Sequence, residues 1–327
     1  MVEEILPNLY RIEVPLPQSP LKALNSYLIK GQGRFLVIDT GMNRDECLRE
    51  MVSGLERLNV DLRKTDFFIT HLHADHLGLV ANLATSTSKV YFNQKEASMV
   101  NAERSDREKR WEEIQTVYLS NGFPEDELKR AAESHPARRY GLKRRLDFSI
   151  IKEGDIIQIG DYSFECIETP GHSPGHMCLY EASKNILISG DHVLFDITPN
   201  ITFWLGMENS LKDYLASLEK IYALDVDVVL PGHRNIWNNH RKRIEELHEH
   251  HYARANEILS ALKGGQKNTF QVAPYVTWDI DCSSWELFPP PQKWFAFGET
   301  LAHLMYLEQK GMIQRKTTKE GIVFSSE

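Results

Sequence analysis

The sequence predicts an α/β fold, and three observations predict it. Short apolar runs recur through the first 240 residues, each closed by a small or turn residue and then by a histidine or an aspartate. Such runs are too short for helices and read as buried strands. Between them stand stretches whose apolar residues share one helical face, as at 44–58. Beyond residue 240 long helical stretches take over and the chain ends in a hairpin pattern. The chain has 327 residues, 42% of them hydrophobic, which suffices for one large core and a smaller unit. Two domains are expected: 1–240, with a helical insertion at 95–150, and 241–327.

Residues 5–14 alternate loosely and stop at Pro15 and Pro17, which reads as an edge strand because proline cannot donate to a ladder. Ala23–Lys30 and Arg34–Ile38 flank Gly31-Gln32-Gly33, a hairpin signal. Asp39-Thr40-Gly41 closes the second of these strands. Cys47, Leu48, Met51, Leu55 and Leu58 then lie on one face of a helix.

The stretch 66–78 carries the chemistry. Phe67-Phe68-Ile69 is a buried strand, and His71, His73, Asp75 and His76 follow within six residues. Imidazole and carboxylate together suit Zn²⁺, Fe or Mn better than Ca²⁺ or Mg²⁺. His71 and His73 are two apart, so in an extended segment they point the same way. Asp75 and His76 are adjacent and diverge, which leaves them for a second ion nearby. A polar surface loop would account for a lone His-x-His, but poorly for four ligand-type residues at the end of an apolar strand. Leu77–Leu83 predicts a helix behind this loop, and Lys89–Phe92 the next strand.

Residues 95–150 interrupt the alternation. Trp111, Ile114, Val117 and Tyr118 are spaced for an amphipathic helix, and Pro124-Glu125-Asp126-Glu127 opens another with proline and acids in its first turn. Residues 138–145 hold five basic residues in eight. They form either a solvated face or an anion-binding rim, since long insertions often supply lids and binding elements. Arg138, Arg139, Arg144 and Arg145 are therefore candidate substrate-binding residues.

Asp147–Ile159 reads as strand and turn. The strand Tyr162–Ile167 leads into Thr169-Pro170-Gly171-His172-Ser173-Pro174-Gly175-His176. Ile186–Ser189 leads into Gly190-Asp191, and Val226–Leu230 into Pro231-Gly232-His233. The same grammar thus recurs four times, and one edge of a sheet would collect all these side chains. The loop 192–207 is apolar, and its Phe195 and Trp204 are candidates for a substrate-pocket wall, with core packing as the alternative. Asn209 or Ser210 caps a helix running to Leu224.

Residues 240–264 form a long helix ended by Gly264-Gly265. Its His248, His250 and His251 invite a metal reading but have no carboxylate or strand context, which weighs against it. Pro289-Pro290-Pro291 makes a rigid connector, 294–310 another helix with His303 in core or interface, and Met312–Arg315 with Ile322–Ser325 a hairpin.

Taken together, the motifs of residues 5–240 resemble the metallo-β-lactamase-fold hydrolase superfamily. Its pattern is His-x-His-x-Asp-His, a later His, a bridging Asp and a last His, all present here in order. The helical, hairpin-tipped tail is similar to the winged C-terminal unit of the glyoxalase II and lactamase-beta-2-like branch. One departure is Leu79, where many members carry a second glycine, which touches loop packing and no ligand. The resemblance implies an αββα sandwich. It also implies that His71, His73 and His172 bind one metal, that Asp75, His76 and His233 bind another, and that Asp191 bridges them. Asp39 would support the metal loop, and His176 would orient ligands. Two divalent ions, zinc first with iron or manganese as alternatives, would share one hydroxide at neutral pH. Asp75 would also steer the nucleophile's proton. The implied activity is hydrolysis of a thioester or other activated ester. The alternatives are a phosphodiesterase or endoribonuclease, and a lactonase or β-lactamase. Many true β-lactamases have cysteine at the place of Asp191, which weighs against antibiotic hydrolysis.

Composition narrows the partners. A formal net charge of −8 argues against avid non-specific nucleic-acid binding. The mixed charge of 294–327 favours a lid or homodimer element over a nucleic-acid reader. Four cysteines without CxxC spacing read as buried thiols. No apolar run approaches the roughly 20 residues of a membrane helix, and no secretory leader is visible. A small-molecule substrate, anionic if the basic rim is used, and a cytoplasmic location are expected.

Overall fold

Alternation along the strands decides how the first unit packs. On β3 (Ala23–Lys30) Leu24 and Leu28 enter one core, while Tyr27 and Ile29 enter another. On β4 (Phe35–Ile38) Val37 faces the first core, and Leu36 and Ile38 the second. On β5 (Thr65–Phe68) Phe67 and Phe68 divide in the same way. A sheet with both faces apolar must be covered on both.

The computed structural model describes residues 1–326. By contacts it divides into a first unit of Met1–Ala102, Tyr140–Pro199 and Ser217–Arg243, and a second of Glu103–Arg139, Asn200–Ala216 and Ile244–Glu327. The first unit contains two sheets. One has seven strands in chain order, β1 (Val2–Leu6), β2 (Leu9–Pro15), β3, β4, β5, β6 (Val90–Asn93) and β7 (Ser149–Ile151). It is antiparallel up to β4 and parallel from β4 onward. The other has five strands in the order β12 (Val228–Pro231), β11 (Ile186–Gly190), β10 (Met177–Glu181), β9 (Tyr162–Glu168) and β8 (Ile156–Ile159). Within it only β11 and β12 are parallel. Leu9, Tyr27, Ile38 and Phe68 from the first sheet pack with Phe164, Met177, Leu179, Ile188 and Leu230 from the second, so the sheets share one core. The outer face of the first sheet is covered by α1 (Asp45–Arg57) through Cys47, Met51 and Leu55. Gly54 lets that helix sit close, since a Cβ there would come within 2.6 Å of Ile12 Cγ2. This is the two-sheet, helix-flanked architecture expected.

Parallel pairing sets the origin of the loops. β4 and β5 are in register at Ile38 and Phe68, and β11 and β12 at Ile188 and Leu230. Asp39 therefore leaves its strand beside the 69–76 loop, and Asp191 leaves beside Gly232-His233. The 169–176 loop leaves β9 and re-enters as β10.

Several boundaries differ from expectation. Residues 5–14 belong to two strands, because Pro7-Asn8 makes a turn with Asn8 at φ 64°. The edge is then β1, and β2 is an inner strand with Pro15 as its last residue. The helix behind the histidine loop is broken into α2 (Ala74–Leu77) and α3 (Val80–Leu83). β10 carries no polar alternation, since all five residues are buried, and it hid between two motifs. Cys47, Cys166 and Cys178 are buried free thiols, but Cys282 is partly exposed.

In the second unit α5 (Arg104–Ser120) and α6 (Glu125–Ser134) share a core with α11 (Pro290–Gln309) and with Ile258 and Leu262 of α9 (His240–Leu262). Tyr118, Phe123, Leu128, Trp294, Phe297 and Leu304 fill it. The proline run reads as a connector in the sequence, but α11 starts at Pro290, because the first turn of a helix has no use for the missing N–H. β13 (Gln314–Thr318) and β14 (Gly321–Ser325) form the terminal hairpin. Arg254 and Glu299 make a buried ion pair between α9 and α11. No helix among the described residues is long and apolar enough to cross a membrane.

Gly298 on α11 sits where a Cβ would meet Thr202 Oγ1 at 2.0 Å and Tyr118 Oη at 2.5 Å. Gly298→Ala should destabilise the protein by about 1–3 kcal/mol, the usual cost of overpacking. Gly311, at φ 71° with nothing within 4 Å of its Cβ position, should cost about 1 kcal/mol as alanine, from backbone strain alone. Urea unfolding of the two variants checks the order.

Candidate metal centre

Every ligand-type side chain named above in 71–76, with His172, Asp191 and His233, converges at one end of the two sheets. His71, His73, His172 and Asp191 place ligand atoms within 4.8 Å of one another, and so do Asp75, His76 and His233. All but His73 are buried.

The outward-facing nitrogens fix the tautomers. His233 Nδ1 lies 2.7 Å from the Ala23 carbonyl, so it donates, and Nε2 carries the lone pair. Asp39 accepts from the Thr70 N–H at 2.9 Å and from the Thr70 hydroxyl at 2.8 Å. It also accepts from His76 Nδ1–H at 2.7 Å, which turns the lone pair of His76 Nε2 inward. The Thr70 hydroxyl has given its proton to Asp39, so it accepts from His71 Nδ1–H at 3.0 Å, and His71 Nε2 is a lone pair too. Histidines that ligate metals usually have their other N–H held in this way. Asp39 does this at φ 59°, a left-handed conformation. His176 receives the Asp191 N–H on Nε2 at 3.1 Å, so its Nδ1–H donates to Thr169 Oγ1 at 2.8 Å. Asp39 and His176 therefore orient groups that face the centre, without facing it themselves.

Inside, His71 Nε2 lies 2.9 Å from His73 Nδ1, and His73 Nδ1 lies 3.0 Å from His172 Nε2. Nitrogens around a tetrahedral ion at about 2.1 Å stand roughly 3.4 Å apart, so a small outward movement fits the three to one ion. Asp191 Oδ2 lies 3.4 Å from both His76 Nε2 and His233 Nε2, 3.7 Å from His172 Nε2 and 3.9 Å from His71 Nε2. His233 Nε2 is also 3.3 Å from Asp75 Oδ2. His76 Nε2, His233 Nε2 and Asp191 Oδ1 are buried and make no hydrogen bond among the described residues. Buried polar atoms without partners are costly, and a cation would satisfy all of them.

Charge gives the same answer. Burial opposes protonation of His76, yet the carboxylates of Asp39 and Asp191 raise it well above the ordinary histidine range. His233, beside Asp191 and Asp75, is raised against burial to about 10. Burial works against ionised Asp75, yet His233 and His76 bring it down to about 2. Burial and the other imidazoles hold His71 well below its ordinary value, and burial with His172 brings His73 to about 3. One half of the centre is a neutral nucleophilic nest, and the other is a pair of carboxylates calling for positive charge.

The family profile described as Metallo-beta-lactamase superfamily matches residues 21–233, from β3 to the last histidine of the cluster. The chain belongs to that superfamily. A second profile, Metallo-beta-lactamase-like, C-terminal domain, matches residues 288–325, which are α11 and the hairpin. YqjP of Bacillus subtilis, a probable metallo-hydrolase, is 27% identical over 303 residues, 88% of each chain. The acyl-coenzyme A thioesterase MBLAC2 of Bos taurus is 28% identical over 228 residues, 66% of this chain and 75% of that protein. The crystal structure of a metallo-beta-lactamase family protein from Thermus thermophilus superposes with TM-score 0.82 at 28% identity, covering 99% and 100% of the two chains. This member of the superfamily is a metal-dependent hydrolase.

The substrate candidates are divided between the two units. Arg138 and Arg139 lie on the short helix α7 (Pro136–Tyr140), in the second unit, with Arg138 over the Trp111 ring. Arg144 and Arg145 belong to the first unit and donate to the carbonyls of Ala81 and Asn101. Trp204 lies in the second unit. Phe195 stacks on Trp237, ring centroids 5.8 Å apart, in loops that follow Asp191 and His233. Trp237 escapes the sequence pattern, although its place four residues after His233 was an available signal. His250 and His251 do find a carboxylate, Glu299. Arg254 is ion-paired to it, and that cation opposes a metal there.

Asp39→Asn isolates the acceptor, because asparagine tolerates the same left-handed backbone. Its amide would present a donor to His76 or Thr70. Metal affinity should fall about 10–100-fold with little loss of fold, as read by chelator competition and circular dichroism.

Proposed function

We propose that this hydrolase holds two divalent metal ions and cleaves thioesters. The observation that carries the two-ion reading is Asp191 Oδ2, which stands within 3.4–3.9 Å of nitrogens from both ligand sets. One set is His71, His73 and His172, and the other Asp75, His76 and His233. The imidazole and carboxylate donors suit zinc first, with iron or manganese as alternatives. When bound, such a pair supplies a water of lowered pKa and an electrophilic clamp on the scissile carbonyl.

The chain's own residues do the rest. Asp39, Thr70 and the Ala23 carbonyl keep the outer imidazole protons of His71, His76 and His233 away from the centre, so that the lone pairs of these three rings point inward. His233 and His76 favour the ionised form of Asp75, which would accept a hydrogen bond from the attacking water. Asp191 spans both halves of the centre.

The thioester reading rests on the likeness to acyl-coenzyme A thioesterases. A coenzyme A thiol carries phosphates, and the five basic residues of 138–145 have the charge that would attract them. Charge attraction acts mainly on capture and is screened over about 8 Å at physiological salt.

Metal analysis after purification without chelator should give two ions per chain. Asp191→Ala should lose more metal and more activity than any single histidine variant. A panel of acyl-coenzyme A, a neutral thioester, a lactone, nitrocefin and bis-p-nitrophenyl phosphate should show highest kcat/KM on acyl-coenzyme A. Phosphodiester turnover above thioester turnover would sink the substrate assignment.

Arg138→Ala with Arg139→Ala should raise KM for acyl-coenzyme A at low salt and leave kcat nearly unchanged, the mark of lost uniform binding. KM for the neutral thioester should not move. Equal effects on both substrates would show that these arginines only support the local fold.

A further inference from the structure

Glu96 is an acid with no exposed surface, in the first turn of α4 (Gln94–Val100), at the end of β6. Its Oε1 accepts from the Ser173 hydroxyl and from the Gly175 N–H, the latter at 2.9 Å. The Leu72 N–H also turns toward the carboxyl and lowers its pKa. Leu72 lies between His71 and His73, and Ser173 follows His172. The carboxyl therefore touches backbone or side chain beside three of the four members of one ligand set. Burial pushes Glu96 up to about 7, and no cationic side chain among the described residues is hydrogen-bonded to it. An unpaired buried acid costs stability, so its position calls for an explanation that core packing does not give.

The surroundings are fitted to it. Asn93 caps α4 by accepting from the Lys95 N–H at 2.8 Å, which sets the first turn. A Cβ on Gly175 would come within 2.3 Å of Asn93 Oδ1 and 3.0 Å of Glu96 Cγ. The glycine of the His172-Ser173-Pro174-Gly175-His176 motif is thus the space into which Glu96 and Asn93 reach.

We propose that Glu96 is a positioning residue for the metal centre, clamping the loop of His71 and His73 to the loop of His172. The two loops leave different sheets, β5 in one and β9 in the other. Nothing covalent sets the separation of His73 Nδ1 from His172 Nε2. In its ionised form the carboxyl is suited to this task because it only accepts, and the three groups around it are able to donate. In glutamine the amide nitrogen would face one of those donors. The proposal rests on the reading of the cluster as a metal centre.

The test uses the full chain and Zn²⁺ alone. Metal affinity is measured by chelator competition, and thermal unfolding is followed with excess Zn²⁺ and with excess chelator, for wild type, Glu96→Gln, Glu96→Ala and Ser173→Ala. Arg34→Ala, which removes a surface ion pair with Asp66, serves as a variant that perturbs the fold away from the centre. Glu96→Ala should weaken Zn²⁺ binding about 10–100-fold, with Glu96→Gln and Ser173→Ala between it and wild type. The gain in Tm on adding Zn²⁺ should shrink in the same order. In Arg34→Ala that gain should stay at the wild-type value. If Glu96→Ala does not fold, the two milder variants carry the test. Zn²⁺ affinities within about twofold of wild type in every folded variant would overturn the proposal, as would equal losses of Tm with and without Zn²⁺. Failure of wild type itself to bind Zn²⁺ would instead overturn the metal-centre reading.

Discussion

The structure depends on one constraint, that ligand lone pairs must point inward, and for His71, His76 and His233 this is achieved by occupying the protons on the far side of the rings. Asp39 is the clearest case. One carboxylate takes the Thr70 N–H, the Thr70 hydroxyl and His76 Nδ1–H, and through Thr70 it also fixes His71. The Thr40 hydroxyl and N–H, next in sequence, both reach the His76 carbonyl at 2.8 Å. The end of β4 is thereby tied to both ends of the histidine loop. A neutral residue at 39 would leave two imidazoles free to rotate or to change tautomer. A left-handed residue at the end of a parallel strand costs of order 1 kcal/mol or more, and here the strain aims a carboxylate under two ligands at once.

Much of this was legible in the sequence, and the reason is physical. Ligands must leave buried strand ends to converge, so each appears as an apolar run, a turn and a histidine or aspartate. That grammar located β5, β9, β11 and β12 and all seven ligand-type residues. What it could not locate were partners distant in the chain. Ala23 holds His233 and Asn25 holds the Pro231 and Arg234 carbonyls, yet neither residue carries a mark of its chemistry. Glu96 looks like one more acid at the start of a helix. β10 lacks alternation because both its faces are covered. The split of residues 5–14 turns on a single asparagine that accepts a left-handed conformation.

The second unit shows the opposite balance. Its helices are visible from spacing, but their association is not, because helix faces say what is apolar and not what they meet. Tyr118, Leu128, Phe297 and Leu304 come from three helices spread over nearly two hundred residues. The histidines of α9 show no partner in the local sequence, yet His251 is buried against His303 of α11, with Nδ1 and Nε2 3.2 Å apart. His303 Nδ1 donates to the Glu299 carbonyl at 2.9 Å, so the chain of donors runs from His251 through His303 to the backbone. Burial lowers the pKa of both rings, to about 3 for His303, and a neutral pair can be stored in a core without a counter-ion.

The glycines of the motifs complete the account of the centre. Gly190 stands at φ 49°, and a Cβ there would lie 2.7 Å from His176 Nε2 and 2.9 Å from Thr70 Cβ. A Cβ on Gly232 would lie 2.6 Å from Asp191 Oδ1 and 2.8 Å from His76 Cε1. These residues precede Asp191 and His233, and their N–H and carbonyl groups bond across the two strands, Gly232 to Gly190 at 2.8 Å. Seven ligand-type side chains from four loops occupy so little space that the backbone beside them cannot carry side chains of its own. The small residue before a ligand is therefore less a turn signal than a consequence of crowding. It marks the positions where two strand ends must pass within contact distance of the same group of atoms.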